Sequence, residues 1–112
     1  MTSNAKKLEA LKEWLAINQI PFIANYKSGF GVTIDVKIPH LMIAVFLSDG
    51  DTEHEMAVYN AKGNGGCKLH HVYKPLFIRK NETKEFVLEK IQNCCYDRLV
   101  ALQRKFERDS SK

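Results

Sequence analysis

The stretch Val32-Thr33-Ile34-Asp35-Val36-Lys37-Ile38-Pro39-His40-Leu41-Met42-Ile43-Ala44-Val45-Phe46-Leu47-Ser48-Asp49-Gly50 decides the fold class. Its first half alternates. Val32, Ile34, Val36 and Ile38 are apolar and predicted to face one way, while Thr33, Asp35 and Lys37 face the other, the period of a half-buried strand. Pro39-His40 closes that strand in a tight turn. Leu41 to Leu47 then runs apolar without alternation, which predicts a central strand buried on both faces. Ser48-Asp49-Gly50 is a turn signal. One carboxylate, Asp35, stands on the first strand, and the second strand carries none.

Working outward, residues 4–18 have Leu8, Leu11 and Leu15 at helical spacing, with Ser3 or Asn4 as the cap. Ile20 to Ala24 is a first short strand with Pro21 near its start, and Lys27 to Gly31 a turn. Residues 51–62 are helical, with acids in the first turn, and Gly63-Asn64-Gly65-Gly66 stops that helix. A fourth strand is expected over 67–78, from Lys68 to Tyr73 with a break at Lys74-Pro75 and a continuation through Leu76-Phe77-Ile78. Asn81 or Thr83 caps a long final helix over 83–108, with Leu88, Ile91, Cys95, Leu99, Leu102 and Phe106 as its apolar stripe. The order is α-β-β-β-α-β-α in one domain, 1–112. It predicts an α/β sandwich of three layers around a mixed four-stranded sheet, with the first three strands antiparallel and the last two parallel.

Composition sets the outer bounds. The chain has 112 residues, 45% apolar and 27% charged, enough for one core without staples. Cys67, Cys94 and Cys95 have no scaffold spacing, so reduced thiols are expected, and no basic leader precedes an apolar run; both point to the cytoplasm. The run Leu41 to Leu47 is too short to span a bilayer. The net charge of +4 is unevenly spread. Asp49, Asp51, Glu53 and Glu55 cluster without a base, and Lys62, Lys68, Lys74, Arg79 and Lys80 follow without an acid. That pairing fits a phosphate-facing surface beside a metal site, or a solvated face that keeps the chain dispersed.

The order of elements resembles the PD-(D/E)XK nuclease superfamily, and within it the branch related to very-short-patch-repair endonucleases. The matching features are Ile34-Asp35-Val36, Ile38-Pro39, the strand Met42 to Leu47, Asp49-Gly50, His54, the turn Gly63 to Gly66, and Val72 to Ile78; they span residues 5–95. The resemblance implies a restriction-endonuclease-like fold and, in active relatives, Mg²⁺ held by carboxylates on neighbouring strands to activate water. Asp35 matches the first ligand position. The second falls on Val45, Phe46 or Leu47 in every register, and none of them can bind a hard cation.

The expectation is therefore a nuclease-type fold without its cleavage site and without a cofactor, binding DNA or RNA at most. Lys62, Lys68, His70, Lys74, Arg79 and Lys80 would make those contacts. Two alternatives stand beside it. One is an active Mg²⁺-dependent endonuclease in which Asp49, Asp51 or Glu53 replaces the missing carboxylate and partners Asp35. The other is an interaction module that forms a homodimer through the final helix, whose apolar stripe outruns one small sheet. Cys67, His70, His71 and His54 lack the spacing of a zinc site, because His70 and His71 would face opposite sides of a strand.

Overall fold

The computed structural model describes residues 3–110. Helix α1 (Asn4–Ile17) starts where the Ser3 hydroxyl accepts from the Lys6 N–H at 3.3 Å, satisfying one of the amides a helix start leaves unpaired. It ends in a left-handed reversal. Gln19 has φ 58°, its N–H donates to Ala16 O, and the Ile20 N–H donates to Leu15 O at 2.9 Å. This is the Schellman arrangement, usually built on glycine. Ile20 and Phe22 then pack against the core, so 20–22 is a connector and the first strand begins later than the sequence predicts.

Strands β1 (Ile23–Lys27), β2 (Thr33–Ile38), β3 (Ile43–Ser48) and β4 (Lys74–Arg79) form one sheet in the order β1-β2-β3-β4. The first two pairings are antiparallel and β3 runs parallel to β4. A parallel step needs a crossover. Here it consists of helix α2 (Thr52–Tyr59), a 3₁₀ turn at 64–66 and the one-turn helix α3 (Leu69–Val72). Helix α4 (Lys84–Ser110) closes the chain, with the Thr83 hydroxyl accepting from the Phe86 N–H at 3.1 Å.

The expected mixed α/β sandwich is present, with one extra helical turn. Leu11 and Leu15 of α1 and Val87 and Ile91 of α4 cover one sheet face; Val58 of α2 and Leu69 of α3 cover the other. Strand β3 explains its own composition. Ile43 and Val45 enter the first layer and Ala44 and Phe46 the second, so neither side of the strand meets water.

Five local expectations are corrected. On β2, Val36 and Ile38 enter the α1–α4 layer, but Ile34 packs in the other layer with Phe46 and Phe77. The strand changes face at Asp35, opposite Asn25, whose φ is 52°, and the β2–β3 pairing runs only from Ile38↔Ile43 to Val36↔Val45. Helix α2 stops at Tyr59, because Lys62 is drawn into an antiparallel bridge with Lys68. Residues 69–72 are a helical turn rather than a strand. The Leu69 N–H bonds Ala61 O and its side chain is fully buried, which turns the segment inward before β4. Pro75 lies inside β4, not at a break; β4 is an edge strand, where a residue without an N–H is tolerated. Finally, the buried stripe of α4 is Val87, Ile91 and Cys95, whereas Leu99, Leu102 and Phe106 are exposed.

Candidate functional site

Asp35 lies where β2 changes face. Its carboxylate accepts from the Leu47 main-chain N–H at 2.9 Å, taking a place in the ladder that a β2 carbonyl would otherwise hold. Val45 is fully buried and Phe46 nearly so, and Leu47 is half-buried. The three positions opposite Asp35 that matter for a metal are therefore core.

The acidic cluster divides by role. Asp51 caps α2, its Oδ1 accepting from Glu53 N–H at 3.0 Å and His54 N–H at 3.5 Å. Asp49 and Glu53 are exposed. Glu55, which is not among the sequence-derived site candidates, is the buried member. It accepts from Ser48 Oγ at 2.5 Å and from both Nε and Nη2 of Arg79, at 3.0 and 2.8 Å. The Arg79 guanidinium, followed by the Ser48 hydroxyl, holds the Glu55 carboxyl below the ordinary 4.5 against the opposing effect of burial. Glu82 adds a second carboxylate, bonded to the Arg79 N–H at 2.9 Å and to Lys90 Nζ at 2.9 Å. From the other side the fully buried Lys7 donates to Arg79 O at 2.9 Å, Lys80 O at 3.2 Å and Asn4 Oδ1 at 3.3 Å. This network ties the carboxyl ends of β3 and β4 to α1, α2 and α4.

The outer edge of β4 is closed to a further strand. Groups pointing away from β3 alternate along it. Pro75 has no N–H, the Phe77 carbonyl accepts from Lys90 Nζ at 2.6 Å, and the Arg79 N–H is taken by Glu82. These devices block edge-to-edge pairing.

Beside that edge, between α2 and α4, runs a groove of about 760 Å³. Lys74, Arg79, Lys90 and Arg98 line it against Glu55 and Asp97, with Met56, Tyr59, Leu76 and Phe77 between them. At the Lys74 end the aromatic rings form a file. Tyr59 stacks on Phe77 with centroids 6.0 Å apart and meets His70 at 5.7 Å, and His70 meets His71 at 4.2 Å. A smaller hollow of about 290 Å³ joins Tyr59, His70, His71 and Lys74 to Arg98, whose Nε is held by Leu41 O at 2.8 Å. Loss of solvent, then the neighbouring His71 and Lys68 charges, lower the His70 pKa from 6.5, favouring a neutral ring.

The candidate nucleic-acid contacts thus separate. His70 and Lys74 come together, with Lys68 close enough to act on His70. Lys62 bridges Lys68 through the main chain. Arg79, at the far end of β4, and Lys80 just beyond it lie about 16 to 20 Å from Lys74 at the usual rise per residue, and Arg79 is engaged by Glu55. Tyr59 and Arg98, which no local sequence pattern marks as site residues, join the Lys74 end. His70 and His71 share a helical turn rather than opposite faces of a strand, and among the described residues no three His, Cys, Asp or Glu side chains gather as a metal ion would need. Comparison with protein-family models, characterised proteins and solved structures finds no match for this chain. Among the described residues no helix is long and apolar enough to cross a membrane.

Proposed function

We propose that this chain is a non-cleaving relative of the restriction-endonuclease-like proteins, and that it binds a nucleic-acid strand at the Lys74 end of the groove beside β4. The observation that carries the binding is the pair of partly exposed rings Tyr59 and His70, backed by the buried Phe77 and gathered in one hollow with Lys74 and Arg98. Aromatic faces offer stacking to any base, and flanking cations attract the phosphates. The fold assignment is supported by the strand order and by the directions of the four strands, which follow the pattern the resemblance implies. Loss of cleavage is supported by the apolar Val45, Phe46 and Leu47 and by the engagement of Asp35 with the Leu47 N–H.

The test is fluorescence anisotropy with a labelled twelve-nucleotide single strand, as DNA and as RNA, across a range of salt. Binding should weaken steeply with salt, and Lys74→Glu should weaken it roughly tenfold and flatten the salt slope by about one. No retention of either strand at low salt overturns the proposal.

A further inference from the structure

Helix α4 is longer than the sheet it covers. At about 1.5 Å per residue its 27 residues reach roughly 40 Å, whereas a six-residue strand spans about 20 Å. Val87, Ile91 and Cys95 bury the first part. Beyond Cys95 the apolar seam continues into water. Leu99, Leu102 and Phe106 are 56%, 38% and 72% exposed, with Tyr96 at 68% beside them. From Cys95 to Phe106 the steps are four, three and four residues, the a/d repeat of a helix that pairs with another helix. An exposed apolar strip of this kind marks an interaction surface.

Charge identifies what covers it. With Cys95 and Leu102 at d and Leu99 and Phe106 at a, the g positions bordering the seam are Arg98 and Lys105, and the e position between them is Gln103. Arg104 lies on the outer face, and Glu107 is the sole acid from residue 98 to 108. A second copy of this chain fits poorly. Paired antiparallel, its Arg98 and Lys105 would meet the same bases; paired parallel, Arg98 would meet Gln103 and no carboxylate. Like charges at these positions disfavour pairing, and opposite charges select the partner. We infer that the projecting end of α4 docks an amphipathic helix of a different protein, apolar at its own a and d positions and carrying glutamate or aspartate beside them.

Two synthetic 21-residue helical peptides test this with the full chain, both with leucine at a and d, one with glutamate and one with lysine at e and g. The acidic peptide should bind roughly tenfold or more tightly than the basic one, with the difference shrinking in high salt. Leu99→Ser with Phe106→Ser should abolish that binding and leave the thermal melt unchanged, because neither residue is in the core. Equal binding of the two peptides, or none, overturns the inference. So does a wild-type dimer in sedimentation that the double variant returns to monomer, which assigns the seam to a second copy. Loss of oligonucleotide binding in the double variant also overturns it, assigning the seam to nucleic acid.

Discussion

The Asp35 carboxylate and the Leu47 main-chain N–H are joined at 2.9 Å across β2 and β3, next to the point where main-chain pairing of these strands stops. A residue that looks catalytic on its strand is therefore part of the sheet's hydrogen bonding. Removing it leaves a half-buried N–H without a partner. Asp35→Ala should cost about 1–3 kcal/mol in urea unfolding, and Asp35→Asn, which keeps an acceptor oxygen, clearly less. Mg²⁺ should leave the melting temperature of wild type and Asp35→Asn alike. A Mg²⁺-dependent rise in wild type that the Asn variant abolishes would return Asp35 to the role of metal ligand.

Glu55 and Arg79 set the acid limb of stability. The Glu55 pKa is lower in the folded chain than the ordinary 4.5, so its contribution is fully present above that value and is lost as pH falls through the lower folded one. Stability should therefore decline below about pH 4.5, and Glu55→Gln should flatten that decline. At pH 7 the variant should be destabilised by about 1–2 kcal/mol, the smaller end for a charged pair because the Arg79 side chain is 40% exposed and can be re-solvated. An unchanged acid limb in Glu55→Gln, followed by circular dichroism between pH 3 and 7, would remove the pair from this role.

The element order was legible because hydrophobic period is a local property. Leu8, Leu11 and Leu15 announce a helix, and the unbroken run to Leu47 announces a strand covered twice. What was not legible depended on distant partners. Lys7 reaches carbonyls 72 and 73 residues away, and Glu55 meets Arg79 across 24. A signal was present all the same. Asn4 and Lys7 stand on the same helical stripe as Leu8, Leu11 and Leu15, so two polar residues occupied core-facing positions and required buried partners. The change of face at Asp35 left less trace, since alternation continues in the sequence through the irregularity. Residues 68–73 misled for a different reason. Their composition suits a strand, but tertiary burial of Leu69 turns the chain into a helix there.

The thiols report on the core without any substitution in it. Cys67 is exposed, while Cys95 is buried and its pKa is pushed up to about 11, chiefly by loss of solvent. Cys94 beside it is also raised by burial, with Lys74 and Arg98 pulling the other way. With Ellman's reagent at pH 8, Cys67 should react rapidly in the native protein and Cys95 only after unfolding in urea. Cys67→Ser should remove the fast phase alone. Rapid labelling of Cys95 under native conditions would mean that α4 does not stay packed on the sheet.

Gln19 offers a stabilising change that can be tested on backbone grounds alone. It holds φ 58° at the end of α1, where a side chain crowds the following carbonyl, and its own side chain is exposed and contributes no packing. Gln19→Gly removes that crowding but gives the unfolded chain more freedom, which opposes part of the gain. The balance should be about 0.5–1 kcal/mol in favour of the variant, a rise of a few degrees in melting temperature. Gln19→Val should move the other way, because branching at Cβ makes the left-handed region still less accessible. The two results must be opposite in sign. If glycine lowers the melting temperature, the reversal that carries Ile20 and Phe22 back onto the α1–α4 core is not held by the Gln19 backbone.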